Sequence, residues 1–227
     1  MSADPMEATE QLLGLLSERT HRRIGLGHCA NRWFVFNAGL GLDAQVCEAI
    51  DLSRAEGGKK VTTARYVRHA IAQFFASRRA EPALTVEMPG REPVSGIYYA
   101  FVSNSSPWTF LDTRPVHTNP GTSFETGLGV FAMRTMAVLP SLRVIGQFLA
   151  RHGNPRSKHL VRADDVERVR VVASRPIGLQ VDGDYLGLHT DVEFVSVPAI
   201  LDVVAPPRDE FRRWNYVNSV TFALSRE

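Results

Sequence analysis

Short apolar segments follow one another closely from residue 83 onward, and this pattern restricts the fold more than any other feature. The segments are ALTVEM, SGIYYAFVSN and GLGVFAM, then HLVRA, VERVRVVAS, PIGLQVDG, DYLGLHT, DVEFVSVPA and ILDVVAP. A long irregular stretch at 104–125 and a helix that begins with Pro140 and ends at Gly153 interrupt the series. Most connections are too short for crossover helices, so strands must pair antiparallel. We predict a mainly β fold with a few helices (α+β), built on a large antiparallel β-sandwich.

The first 80 residues mix helices and strands. The segment DPMEATEQLLGLLSE predicts a helix, because Asp4 can cap it, Pro5 suits the first helical position and Glu7 completes a capping box. The apolar runs RIGLGHCA and RWFVFNAG predict two strands, separated by a turn at Asn31. Two helices are then predicted, over LDAQVCEAI and over TTARYVRHAIAQFFAS.

Composition and cysteine usage exclude several classes of protein. With 227 residues, 44% of them apolar and 22% charged, the chain can bury a core and is neither disordered nor fibrous. Cys29 and Cys47 form no CxxC motif, so neither a disulfide framework nor a zinc site is predicted. No apolar stretch resembles a signal peptide or a membrane span. These features predict a cytoplasmic protein.

The charge is small overall but unevenly distributed. A net charge of +2 does not indicate a nucleic-acid partner, yet residues 54–79 hold seven basic residues against one acidic residue. The predicted helix 61–78 lies in this basic stretch. Its simplest interpretation is a core helix with solvated arginines, and the alternative is peripheral contact with anionic lipid at the inner membrane surface. The oligomeric state is left open, and a homodimer is one option.

Two glycine motifs imitate nucleotide-binding sequences. Residues 39–44, GLGLDA, match the dinucleotide fingerprint, but a second helix follows where that fingerprint needs a strand. We therefore interpret these glycines as a tight turn from a strand into a helix. Residues 57–60, GGKK, lack the six-residue frame of a phosphate loop and are interpreted as a solvated basic loop.

Asp182 and Gly183 allow two interpretations. Asp-Gly between alternating strands is a strong signal for a two-residue hairpin turn, which would make Asp182 a purely structural residue. An aspartate at a hairpin tip is also held rigidly and exposed, as a general base or a metal ligand must be, with Asp184 close by.

Five segments together resemble a known family. They are FNAGLGLDAQV, the basic helix with ARYV, VSNSSPWT, PGTSFETGLGVF, and LQVDGD followed by VSVPAILDVVAP. In this order, from about residue 22 to residue 206, they resemble the carboxyl-terminal half of bacterial diacylglycerol kinases and sphingosine kinases. The resemblance implies the second domain of the NAD kinase/diacylglycerol kinase-like architecture, a β-sandwich that holds the lipid. NAD kinase itself is a distant alternative.

The resemblance also implies a division of the chain and two cofactors. Residues 1–20 would belong to the nucleotide-binding half, 21–206 would form the lipid-binding domain, and 207–227 would return toward the nucleotide half. ATP and Mg²⁺ are implied for the complete kinase, whose Gly-Gly-Asp-Gly-Thr loop is absent here. That half is expected upstream of Met1, so this chain alone is not expected to turn over ATP.

Site residues follow from the same resemblance. Asp182 matches the aspartate that takes the proton from the lipid hydroxyl. Lys59 or Lys60 matches the family's lysine, and Asn37 and Asn104 match residues at strand ends that face the cleft. Asp184 stands where relatives have glutamate. Glu125 is the one candidate for a structural Mg²⁺, and the loss of its companion carboxylate argues against that site.

The function implied is therefore the lipid-binding domain of an ATP-dependent kinase that phosphorylates a hydroxyl of diacylglycerol or a related lipid. The alternative, from a different functional class, is a stand-alone lipid-binding or interaction domain that has lost its kinase chemistry.

Overall fold

The computed structural model describes residues 4–55, 81–111, 114–148, 150 and 153–206. Helix 61–78, Lys59, Lys60 and the extension 207–227 therefore lie outside the described residues. The chain divides into two compact units, one of residues 25–198 and one of residues 1–24 with 199–227. The described helices are α1 (Pro5–Ser17), α2 (Leu42–Ala55) and α3 (Val138–Phe148).

Twelve strands are seen in the described residues. In chain order, β1 to β6 are His21–Cys29, Arg32–Phe34, Asn37–Leu40, Leu84–Glu87, Val94–Ile97 and Tyr99–Ser103. The remaining strands, β7 to β12, are Thr109–Leu111, Arg114–Val116, Leu128–Met133, Leu160–Val166, Arg168–Val181 and Asp184–Val204. Ten of them form one sheet, ordered β10-β9-β6-β3-β11-β12-β1-β2, with β4 on β11 and β5 on β4; β7 and β8 pair separately. The described strand registers are antiparallel, so the predicted mainly β, antiparallel fold is confirmed.

The sheet divides at β11. The first part of this strand pairs with β4 through residues 170–173, and its last part pairs with β3 through residues 179–181. Side chains of both branches belong to one buried cluster, which includes Val86, Ile97, Val102, Val130 and Leu179. The two branches therefore pack against each other across a common apolar core.

The outer face of β6 and β9 carries a second apolar cluster. Phe101, Phe131 and Met133 lie on these strands and contact Val144 of α3. The rings of Phe101 and Phe131 stack with centroids 5.9 Å apart. Because β6 and β9 are covered on both sides, their sequences read as continuous apolar runs rather than as an alternating pattern.

Several predicted strand boundaries are wrong. RWFVFNAG forms two strands, since the backbone leaves the ladder at Val35 and Phe36 and bonds a side chain instead. SGIYYAFVSN is also split, into β5 and β6. Conversely, the six segments predicted after residue 158 form only three strands. Register shifts at 172–177 and 178–180 let β11 continue through a polar stretch that suggested a turn in the sequence.

The unit formed by residues 1–24 and 199–206 in the described part contains α1. The Asp4 carboxylate accepts hydrogen bonds from the amides of Met6 at 2.9 Å and Glu7 at 3.1 Å, so the predicted cap is confirmed. Within the same unit, Arg23 pairs with Asp202 at 3.3 Å. None of the described helices is long and apolar enough to cross a membrane.

Candidate functional site

The turn between β11 and β12 places Asp182 at the end of its strand. Val181 pairs with Asp184, which leaves Asp182 and Gly183 as the two turn residues. Their φ angles are +48° and +92°, the positive values that a twisted two-residue hairpin turn requires. The two-residue hairpin turn predicted for this Asp-Gly pair is therefore confirmed, and the turn leaves Asp182 exposed.

The Asp182 carboxylate is held by three backbone amides. Its Oδ2 accepts from the N–H of Val35 at 2.7 Å, and its Oδ1 accepts from those of Phe36 and Asn37, both at 2.9 Å. A carboxylate offers about four acceptor positions, so about one remains, on Oδ2. The side chain is thereby fixed in one orientation, with a single oxygen left to meet a ligand.

Gln180 and Asn37 lie beside this carboxylate and are hydrogen-bonded to each other. Gln180 is fully buried; its Nε2 donates to Asn37 Oδ1 at 2.9 Å, and its Oε1 accepts from the Gly183 amide at 2.9 Å. One buried side chain thus braces both the turn that carries Asp182 and the strand that donates to it. Sequence reasoning missed Gln180, and the signal available was a lone amide in the apolar run GLQV.

Asn104 ties the end of β6 to two neighbouring segments. It is 1% exposed, and its Nδ2 donates to the carbonyls of Gly25 at 3.0 Å and Val35 at 3.1 Å. Two carbonyl partners require the NH₂ group on this side of the amide, which fixes its orientation. The opposite atom, Oδ1, is buried and has no hydrogen-bond partner among the described residues. Asn104 therefore supports the backbone of Val35, whose amide donates to Asp182.

Asp184 directly follows the turn and forms an ion pair with Arg32. Its Oδ2 contacts Arg32 at 3.0 Å, and both side chains are about half exposed or more. Such an exposed ion pair contributes little to stability. Arg32, which sequence reasoning did not single out, lies at the edge of the site, where the guanidinium donors that do not contact Asp184 can hydrogen-bond an anionic group such as a phosphate.

Glu125 belongs to a loop that joins the same region indirectly. Its neighbour Phe124 accepts from the Gly25 amide at 2.8 Å, and the Gly25 carbonyl accepts from Asn104. Glu125 itself is exposed. The described residues contain no group of three His, Cys, Asp or Glu side chains that could hold a metal ion. Mg²⁺ is often held by only one or two carboxylates together with substrate phosphates, so the role of Glu125 in a magnesium site stays a prediction.

The predicted site residues fall into three groups. The structure brings Asp182, Asn37 and Asn104 together at one edge of the sheet, with Asp184 beside them. The loop of Glu125 is linked to them through Gly25. Lys59 and Lys60 lie outside the described residues. The turn at Gly41, where φ is +90°, joins β3 to α2, so the predicted tight turn from a strand into a helix is confirmed. Both neighbours of β3 are antiparallel to it, unlike the parallel strands of a dinucleotide-binding fold.

Cys29 is a poor nucleophile. Burial, together with the negative charge of Asp182, raises the pKa of its thiol to about 12. A thiol with so high a pKa stays protonated near neutral pH, and the thiolate is the reactive form. The chemistry that this site can support is therefore acceptance of a proton or a hydrogen bond by Asp182, not covalent catalysis by cysteine.

Comparison with solved structures identifies the fold. Three structures of Bacillus anthracis strain Sterne proteins assigned as diacylglycerol kinases match at TM-scores of 0.60, 0.53 and 0.57, with identities of 11%, 10% and 14%. Each match covers 85% of this chain. No protein-family model and no curated protein sequence matches it. The chain therefore has a diacylglycerol kinase-like fold.

The chain spans 57–60% of the length of these proteins. It is thus equivalent in fold to part of each of them.

Proposed function

We propose that this chain is the acceptor-binding domain of an ATP-dependent lipid kinase in which Asp182 is the general base. The acceptor is a hydroxyl of diacylglycerol or a related lipid. The observation that carries the proposal is the Asp182 carboxylate, held by three backbone amides at an exposed strand end of a diacylglycerol kinase-like fold.

The proposed step is a direct phosphoryl transfer. ATP supplies the γ-phosphoryl group. The lipid hydroxyl gives its proton to Asp182 Oδ2, its oxygen bonds to the γ-phosphorus, and the bond from that phosphorus to the bridging oxygen breaks, which leaves ADP. Such transfers depend mainly on positioning and charge stabilisation. A base fixed by three amides needs no reorientation before it meets the hydroxyl.

The surrounding residues have supporting roles in this proposal. Asn37, Gln180 and Asn104 position the base: Asn37 donates to it directly, and the other two hold the segments around it. Arg32 lies beside Asp184 and supplies positive charge at the edge of the site, and Lys59 or Lys60 contacts the phosphates. Asp184 and Arg32 together face the polar end of the acceptor.

A second function, binding of lipid without phosphorylation, is also supported by a specific observation. Three of about four acceptor positions of Asp182 are occupied by the protein's own backbone, and the described residues hold no metal-ligand cluster. Both features are compatible with an aspartate that is retained only to close the turn.

A lipid phosphorylation assay on this chain, expressed together with the nucleotide-binding half of a related kinase, separates the two functions. The two halves are incubated with ATP, Mg²⁺ and mixed micelles containing diacylglycerol, and labelled lipid is counted. We expect Asp182→Asn to reduce the rate about 10²- to 10⁴-fold, the usual contribution of a general base. The matched control is Asp191→Asn, which alters an exposed aspartate of β12 paired with Arg170.

Thermal unfolding of both variants shows whether a lost rate reflects lost folding. A folded Asp182→Asn protein with full activity would overturn the role of Asp182. Binding of diacylglycerol vesicles without any phosphorylation by the wild type would overturn the kinase and support the lipid-binding function.

A further inference from the structure

Helix α3 carries apolar side chains on two faces, one that packs on the sheet and one that is exposed. Its inner face packs on the sheet, with Val144 in contact with the cluster of Phe101 and Met133. On its outer face, Leu139, Leu142 and Ile145 are 80%, 57% and 38% exposed. Their spacing of three residues places them on one stripe of the helix surface.

This outer stripe is open to its surroundings. A Cβ atom built at Gly146, one turn after Leu142, would meet no atom within 4 Å. Single exposed leucines are common on protein surfaces, but three large aliphatic side chains in a row form a contiguous patch, which is typical of an interaction surface.

The segment of sequence that contains the stripe carries charge of one sign. The sequence contains no Asp or Glu between Glu125 and Asp164, and in that interval it has six basic residues: Arg134, Arg143, Arg151, Arg156, Lys158 and Arg162. In the described part of the chain, no carboxylate pairs with Arg134, Arg143 or Arg156, and all three are exposed.

Arg156 is connected to the helix by a backbone contact, Arg134 precedes it in the chain, and Arg143 belongs to it. The Arg156 amide donates to Gln147 Oε1 at 2.6 Å, which holds Arg156 against the last turn of α3. Arg134 lies four residues before the helix, and its amide donates to the His159 carbonyl at 2.9 Å. Arg143 lies on α3 itself, on the side of Leu139. The helix that carries the apolar stripe therefore has exposed arginines on it and near its two ends.

We propose that this surface, formed by Leu139, Leu142 and Ile145 with Arg134, Arg143 and Arg156, docks on membranes that contain anionic lipids. An apolar stripe bordered by basic residues is the pattern of helices that lie in the membrane interface. The leucines and the isoleucine enter the boundary between headgroups and acyl chains, and the arginines contact lipid phosphates. A protein partner or a second copy would not by itself require a surface of one charge sign.

The proposal is tested by co-sedimentation of the full chain with vesicles that contain no diacylglycerol. Vesicles of phosphatidylcholine alone are compared with vesicles that also contain phosphatidylglycerol, at low and high salt. We expect binding to the anionic vesicles only, weakening with salt over the range where screening becomes strong. Because no acceptor lipid is present, the result does not depend on the proposed kinase function.

Point variants assign the binding to this surface rather than to another basic segment. Leu139→Ser with Leu142→Ser is expected to weaken vesicle binding about tenfold or more, since both side chains insert in the proposal. Arg143→Gln is expected to weaken it a few-fold and to flatten the salt dependence. The control is Leu188→Ser, which alters a leucine of β12 that is 65% exposed, and we expect it to bind like the wild type.

Two outcomes would overturn the proposal. One is unchanged vesicle binding by the folded double variant. The other is a dimer, seen by analytical ultracentrifugation, that the double variant abolishes while vesicle binding stays the same, because the stripe would then be a contact between copies of this chain.

Discussion

Asp182 and Asn37 bind each other reciprocally through their backbones and one side chain. The Asp182 amide donates to the Asn37 carbonyl at 2.8 Å, and the Asn37 amide donates to Asp182 Oδ1 at 2.9 Å. The first bond extends the pairing of β11 with β3 by one residue, and the second ends it. The same aspartate therefore ends the pairing of β11 with β3 and occupies the position proposed for the general base.

This double role predicts a large effect of Asp182 on stability. Asp182→Ala removes the acceptor of three amide hydrogen bonds and should lower the free energy of unfolding by about 2–4 kcal/mol, because bonds to a charged group are stronger than average. Asp182→Asn keeps one acceptor oxygen and should cost less. Urea unfolding measures both, with Asp191→Ala as the control on an exposed ion pair. Equal stability of Asp182→Ala and wild type would contradict the structural role.

Asn104 should be nearly as sensitive, for a different reason. Its Nδ2 satisfies two carbonyls in a buried site, so Asn104→Leu leaves Gly25 and Val35 without a donor and should lower the free energy of unfolding by about 1–3 kcal/mol. Asn104→Asp should be worse, since a carboxylate would face both carbonyl oxygens. The control Asn154→Ala removes an exposed acceptor of Arg162 and should change stability little. An Asn104→Asp protein as stable as wild type would show that the amide is not needed there.

Local signals in the sequence predicted the parts of the fold that depend on nearby residues. Asp4 bonds amides two and three residues away, and the Asp182-Gly183 turn needs only its own backbone angles, so both were predictable. The break of RWFVFNAG at Val35 was not, because the acceptor of its amide is Asp182, 147 residues further along the chain. The bulges of β11 escaped prediction for the same reason: a partner strand, not the local sequence, keeps that strand continuous.

Two Gly→Ala substitutions should change the free energy of unfolding in opposite directions. A Cβ at Gly129 would lie 2.2 Å from Thr122 Oγ1 and 2.7 Å from Asn119 Cβ, so Gly129→Ala should lower the free energy of unfolding by about 1–3 kcal/mol. Gly146 lies inside α3 with open space around it, and Gly146→Ala should raise that energy by about 0.5–1 kcal/mol. Chemical denaturation of the two variants gives both values. Destabilisation by Gly146→Ala would show that the outer side of α3 is covered.

The Cys29 thiol should react much more slowly in the folded protein than in the unfolded chain. Because burial raises the pKa of this thiol to about 12 in the folded protein, it should resist alkylation at pH 8. In urea the same thiol regains an ordinary pKa and should react at least tenfold faster. Peptide mass spectrometry after timed exposure to iodoacetamide measures both rates at this single residue. Fast labelling of Cys29 in the folded state would mean that the core around β1 opens readily.

His117 should make the fold less stable in mild acid. Its Nδ1 hydrogen-bonds Ser106 Oγ at 2.9 Å, and burial lowers its pKa below the ordinary value of 6.5. Above pH 6.5 the imidazole is neutral in both states, and its full contribution to stability is present. As the pH falls below 6.5, the unfolded chain takes up a proton that the folded protein does not, so stability decreases until the folded pKa is passed. Melting temperatures of wild type and His117→Gln, compared between pH 7.5 and pH 5, isolate this contribution. The wild type should lose more than the variant, and parallel curves for the two proteins would show that His117 is not the group responsible.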